Sequence, residues 1–128
     1  MKTNFDEKFM HDAIQLAEQG KFSTHPNPSV GSVVVKDGEI VGKGFHLRAG
    51  LKHAEINALE QAGDRSRGST LYVTLEPCSF KGRTPACAKA IINAGVDRVV
   101  VGTIDPDPRN SGRGIEMLRD AGIKVVTD

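Results

Sequence analysis

His53 and Glu55 stand two positions apart, and Cys78 and Cys87 follow with eight residues between them. One imidazole and two thiolates form a donor set suited to zinc. Structural zinc sites normally close with four protein ligands, whereas three leave a position for water, whose pKa the metal lowers toward about 7. His53, Cys78 and Cys87 therefore read as an open, reactive metal site. Glu55 is too close to His53 in sequence to join the same metal easily, but it is well placed to face that water, which makes it the candidate proton shuttle. Taken singly, each residue is ordinary: a lone histidine on a helix is usually structural, a lone glutamate solvated, and two cysteines pack as small hydrophobes. Their order, and their positions at the starts of two helices, carry the inference. Unpaired amides and the positive dipole end at a helix start favour thiolate over thiol.

The elements that must hold these residues follow from periodicity. Asn4 with Glu7 resembles a capping box, and Phe9, Met10, Ala13, Ile14, Leu16 and Ala17 recur at helical spacing up to Gly20. Apolar runs at 30–35 and 40–45 flank Asp37-Gly38, a pair suited to a tight hairpin turn, so the first two strands are expected to be antiparallel. A helix is expected over 53–62, closed by Gly63, and a short buried strand over 70–75. Residues 86–94 read as a helix stopped by Gly95, and 98–103 as a Val-rich strand. A Gly/Pro/Asp loop over 105–114 leads to a helix at 115–121 and a last strand at 124–127. A hairpin followed by alternating helix and strand predicts an α/β fold with a mixed sheet and helices on both faces.

Composition bounds the rest. A length of 128 residues corresponds to one domain, 1–128, rather than a linked pair. With 38% hydrophobic and 26% charged residues, the chain can bury a core without staples. Seventeen basic residues against sixteen acidic ones, a net charge of +1, provide no bulk field for nucleic acid or an anionic membrane. Any anion site must be local. The first ten residues lack the apolar core of a signal peptide, and no apolar run is long enough for a membrane span, so a cytoplasmic location is expected. Two cysteines are too few for a disulfide framework.

His-x-Glu followed by Pro-Cys and a second cysteine is the signature of zinc nucleobase deaminases. Their usual cysteine spacing is Cys-x-x-Cys, so the eight-residue interval between Cys78 and Cys87 marks a branch. With His25-Pro26-Asn27-Pro28, Thr74-Leu75-Glu76-Pro77-Cys78, Gly82-Arg83-Thr84-Pro85, Asp105-Pro106 and Gly112-Arg113-Gly114, the chain resembles, over nearly its whole length, the deaminase domain of the bacterial riboflavin-biosynthesis bifunctional deaminase/reductases. That resemblance implies a cytidine deaminase-like three-layer α/β/α fold with a mixed five-stranded sheet. It also implies hydrolytic deamination of 2,5-diamino-6-ribosylamino-4(3H)-pyrimidinone 5′-phosphate, with zinc on His53, Cys78 and Cys87. Glu55 would pass a proton from water to a ring nitrogen and later to the leaving amine.

Asn27, His46, Arg83 and Asp105 match the family's substrate-contact positions, and Asp107 stands at a neighbouring one. Arg83 and His46 are the expected phosphate and ribose partners, since a guanidinium fork matches phosphate oxygens. The implied partners are a small pyrimidine nucleotide and further copies of the chain in a homo-oligomer; nucleic acid and membrane are not among them. Either the family's reductase is a separate protein, or this chain is an excised domain, or it serves another pathway. Four departures from the family pattern lie near the inferred pocket: Phe80 in place of His, Ala86 in place of Pro, Asp107 in place of Asn, and Arg109-Asn110-Ser111 in place of an apolar stretch. Phe80 and Asp107 motivate the alternative of a different amino-pyrimidine or amino-purine base or nucleotide as substrate.

Overall fold

The placement of the valines orients the sheet. In β1 (Gly31–Lys36) Val34 faces one side while Val33 and Val35 face the other. In β3 (Thr70–Leu75) Leu71 and Val73 oppose Tyr72, and in β4 (Arg98–Thr103) Val99 and Val101 oppose Val100. Strands buried on both faces need a helical layer on each. The computed structural model describes residues 4–19, 30–45, 53–79, 87–105, 107–108 and 110–127, and it supplies both layers. On one face α1 (Asn4–Gln19) sets Phe9, Met10 and Ala13 against Val33, Val35, Tyr72 and Val100. On the other, α2 (Ala54–Ala62), α3 (Cys87–Asn93) and α4 (Arg113–Asp120) close over Val34, Leu71, Val73, Val99 and Val101.

The sheet is mixed and five-stranded, in the order β2-β1-β3-β4-β5, with β2 at Glu39–Phe45 and β5 at Lys124–Val126. β1 is antiparallel to both β2 and β3, while β3, β4 and β5 run parallel. The hairpin turn falls on Asp37 and Gly38, both at positive φ (52° and 81°), the backbone of a tight primed turn. The expected element order is borne out.

Three details go beyond periodicity. The β1–β2 register shifts between Val34 and Val35, which pair with Gly42 and Ile40, leaving Val41 as the extra residue of a bulge. A short 3₁₀ turn, Gly63–Ser66, extends α2. And α4 starts at Arg113, two residues before the expected start, for a reason that lies outside the helix.

Close packing places the start of α2. A side chain on Gly42 would overlap the Ala58 carbonyl, and one on Gly44 the Ala54 carbonyl. Two glycines on one face of β2 thus let the Ala54, Ala58, Ala62 stripe of α2 lie directly on the strand. Asn57 and Gln61 fix the helix along that edge: Asn57 Nδ2 donates to the Phe45 carbonyl at 3.3 Å, and Gln61 Oε1 accepts from the Lys43 N–H at 2.7 Å. His53 and Glu55 are held at the end of the sheet as a result. Among the described residues, no helix is long and apolar enough to cross a membrane.

Candidate active site

His53, Cys78 and Cys87 meet beyond the ends of β3 and β4, where the parallel strands finish and α2 and α3 begin. Loops and helix starts converge at this end of an α/β sheet, which is why ligands bind there. His53 is the N-cap of α2, and its side chain makes no capping hydrogen bond. Its Nδ1 lies 3.0 Å from Cys87 Sγ. Cys87 opens α3 and is fully buried. Cys78 sits in the turn after β3; its Sγ accepts from the Cys87 N–H at 3.2 Å and its carbonyl from the Ala88 N–H at 3.1 Å. Cys78 thereby satisfies two of the amides that any helix leaves open at its start.

The ligand atoms of the three residues all lie within 4.8 Å of one another. On a tetrahedral zinc such atoms stand about 3.6–3.8 Å apart, so the three side chains fit the ion with adjustments of about 1 Å or less. They could hold it from one side and leave the fourth position open.

Among the side chains alone, protons are shared unevenly. The hydrogen bond from the Cys87 thiol, followed by that from His53, pulls Cys78 down to about 4. Cys87 is pushed well above the usual thiol range by the same bond and by burial. His53 is raised by its bond to Cys78, against burial, with Glu55 adding to the rise. Glu55, only 4% exposed, is pushed up to about 7, chiefly by desolvation. A divalent cation here would draw both sulfurs into the thiolate form.

Two buried polar residues that motif reading passed over organise the turn. Glu76 is 3% exposed, and its Oε1 accepts from the N–H groups of Asp105 (3.1 Å) and Gly112 (2.9 Å), its Oε2 from that of Ile115 (3.1 Å). It therefore caps α4 from outside the helix, where a carboxylate also complements the helix dipole. This explains the early start of α4: its own N-cap, Gly112, has no side chain to do the work. Gly114 permits the approach, since a Cβ there would overlap the Pro77 carbonyl. Asn110, fully buried, accepts from the Ser79 N–H at 3.1 Å and donates to the Pro77 carbonyl and Asp105 Oδ2, each at 3.2 Å. Sequence offered one pointer to each: Glu76 lies beside Pro77-Cys78, and Asn110 interrupts a segment expected to be apolar.

Of the expected substrate contacts, Asp105 and Asp107 fall in the turn after β4, beside Glu76. The Asp105 carboxylate is engaged within that turn, Oδ1 accepting from the Asp107 N–H at 3.0 Å and Oδ2 from Asn110. Asn27, His46, Arg83 and the departures at Phe80 and Ala86 lie outside the described residues.

Comparison with known proteins agrees with this geometry. Residues 3–103 match the family model for the cytidine and deoxycytidylate deaminase zinc-binding region, a span that includes His53, Glu55, Cys78 and Cys87. The riboflavin biosynthesis protein RibD of Escherichia coli K12 is 58% identical over 94% of this chain and 33% of its own length. The diaminohydroxyphosphoribosylamino-pyrimidine deaminase of Buchnera aphidicola from Acyrthosiphon pisum is 53% identical over 93% of this chain and 81% of its own. A crystal structure of a diaminohydroxyphosphoribosylaminopyrimidine deaminase/5-amino-6-(5-phosphoribosylamino)uracil reductase from Thermotoga maritima superposes with a TM-score of 0.89 at 49% identity, covering 96% of this chain and 36% of that one. The chain spans about a third of the length of the RibD relative and four fifths of the Buchnera deaminase. Donor set, fold and similarity thus converge: the chain belongs to the zinc-binding cytidine and deoxycytidylate deaminase family, within the branch of the diaminohydroxyphosphoribosylaminopyrimidine deaminases.

Proposed function

We propose that this chain hydrolytically deaminates 2,5-diamino-6-ribosylamino-4(3H)-pyrimidinone 5′-phosphate, replacing a ring amine by a carbonyl oxygen and releasing ammonia. The observation that carries the reading is the convergence of His53, Cys78 and Cys87 within 4.8 Å next to the buried Glu55. His53, Cys78 and Cys87 would hold the metal. When bound, zinc supplies Lewis acidity that lowers the pKa of water toward about 7.

Every proton then moves through Glu55. Its carboxylate takes one from the attacking water and gives it to a ring nitrogen as the carbon becomes tetrahedral; it then takes the proton of the new hydroxyl and delivers it to the amine as the carbonyl forms and the C–N bond breaks. Burial supports this role, because a carboxyl titrating near neutrality exchanges protons in both directions at little cost. Glu55 and Cys87 are buried, and charges interact more strongly out of water.

Substrate recognition belongs to Asn27, His46, Arg83, Asp105 and Asp107 in this reading, with Arg83 and His46 on the phosphate and ribose. Relatives at 53% and 49% identity, both named as diaminohydroxyphosphoribosylaminopyrimidine deaminases, support the pyrimidine phosphate over another base. The Thermotoga name, which joins deaminase to reductase, supports a reductase as consumer of the product. A homo-oligomeric, cytoplasmic protein whose 128 residues form one deaminase unit completes the proposal.

Ammonia release tests it. The purified, zinc-quantified protein is assayed with the diamino-ribosylaminopyrimidinone phosphate beside cytosine, guanine, adenine and their nucleotides. Turnover of the first alone is expected; turnover only elsewhere in the panel would overturn the substrate, and none at all with zinc bound would overturn the activity.

A further inference from the structure

The backbone on both sides of Cys78 is bound by one side chain. Asn110 Oδ1 accepts from the N–H of Ser79, and Asn110 Nδ2 donates to the carbonyl of Pro77. A carboxamide placed this way pairs with the chain as a neighbouring strand would, with Cys78 at the centre. Its orientation is fixed by its partners, since a backbone N–H needs an oxygen while a carbonyl and a carboxylate need the NH₂. The second NH₂ hydrogen goes to Asp105 Oδ2, so the same residue joins the cysteine turn to the turn after β4. Asn110 is fully buried, and each of its polar atoms is used. Such a residue has no room to relax when a partner moves.

We propose that Asn110 is a positioning residue for the metal centre: it fixes the backbone on either side of Cys78, and with it the direction of the Cys78 thiolate, and sets Asp105 against that turn. The proposal rests on Cys78 being a ligand, as in the reading above. Glu76 cannot substitute, because its three bonds go to Asp105, Gly112 and Ile115 and none to residues 77–79. The role belongs to this chain's own sequence, since Asn110 stands where an apolar stretch is expected.

The test replaces zinc with cobalt(II), whose absorption reports thiolate bonding and tetrahedral geometry, and follows metal loss to an excess of chelator. Two variants are compared with the parent: Asn110→Val, which removes all three bonds at similar volume, and the isosteric Asn110→Asp, which keeps only the acceptor for Ser79. Partners that orient metal ligands are worth about 10–100-fold in metal affinity. Asn110→Val is expected to lose cobalt at least about tenfold faster, with a shifted visible spectrum, and Asn110→Asp to lose it several-fold faster. Tyr72→Phe, on the opposite face of the sheet, controls for general destabilisation and is expected to leave rate and spectrum at parental values.

Parental behaviour in either Asn110 variant, or equal changes in Tyr72→Phe, would overturn the positioning role. If Asn110→Val does not fold, Asn110→Asp decides alone. A parent protein whose cobalt spectrum lacks thiolate absorption would overturn the ligand reading and the proposal with it. Failure of the substrate assay leaves all these spectra readable, so the two readings fail separately.

Discussion

The sheet carries a buried charged cluster on each side, and the two are built to opposite ends. Under α1, Asp6 is 1% exposed and receives two hydrogen bonds from Arg98, at 2.8 and 2.6 Å, and one from the Tyr72 hydroxyl at 2.6 Å. Carboxylate, guanidinium and phenol satisfy one another there, and burial together with Asp6 lifts the Tyr72 hydroxyl well above the usual range. At the far end of the sheet, His53, Glu55, Cys78 and Cys87 bring two thiols, an imidazole and a carboxyl together, and their proton affinities are driven apart. The first cluster is complete without a ligand. The second has the donor set of a zinc site, and a dication bound there would draw both sulfurs into the thiolate form. Burial of charge alone therefore does not mark the site; what marks it is which groups are left for something outside the chain to balance.

Substitution in each cluster should separate activity from stability. The largest effect is expected at the metal centre: Cys78→Ala should lose its zinc and its turnover together. Glu55→Gln should keep the metal and lose about 10²–10⁴-fold in rate. Because it removes a buried carboxylate, its thermal midpoint should stay level or rise. Metal analysis, ammonia release and thermal denaturation on the same preparations read all three quantities; undiminished turnover in Glu55→Gln would end the proton-shuttle role.

In the other cluster the pattern should invert. Asp6→Ala should retain turnover yet cost about 2–3 kcal/mol of stability, below the 3–5 typical of a fully buried pair because Arg98 is a quarter exposed. Denaturant titration measures it, and a loss of turnover in the folded protein would mean that the two faces are coupled. Gly114→Ala should cost about 1–3 kcal/mol, since its new methyl meets the Pro77 carbonyl, and should hasten metal loss as well. The smallest expected effect is that of Tyr72→Phe, about 1 kcal/mol.

Tyr72→Phe also has a pH signature. Because the folded-state pKa of Tyr72 lies above its unfolded value, its contribution is fully present below about pH 10 and is lost as the pH rises toward the folded value, where the unfolded chain alone ionises. The parental midpoint should therefore fall more steeply above about pH 10 than that of Tyr72→Phe. Identical slopes would remove Tyr72 from the closed cluster.

Much of this protein is written in short windows of its sequence. Asp37-Gly38 announces a hairpin because two positive φ angles in succession suit few other pairs, and the strands and helices follow from periods of two and 3.6. His53, Glu55, Cys78 and Cys87 are legible because zinc chemistry demands those residue types in that order. What only the tertiary structure decided is how distant pieces meet. Glu76 caps a helix 36 residues downstream in place of Gly112, and Asn110 binds the chain on either side of Cys78 from 33 and 31 residues away. Gly42 and Gly44 serve α2 only because a bulge at Val41 and the path of the helix bring the Ala54 and Ala58 carbonyls onto them. A hydrogen bond or a steric contact between residues far apart leaves no periodicity and no spacing in the sequence, because it depends on where the whole chain returns. The reactive groups could be named from their types, while the residues that aim them became visible only once the chain was folded.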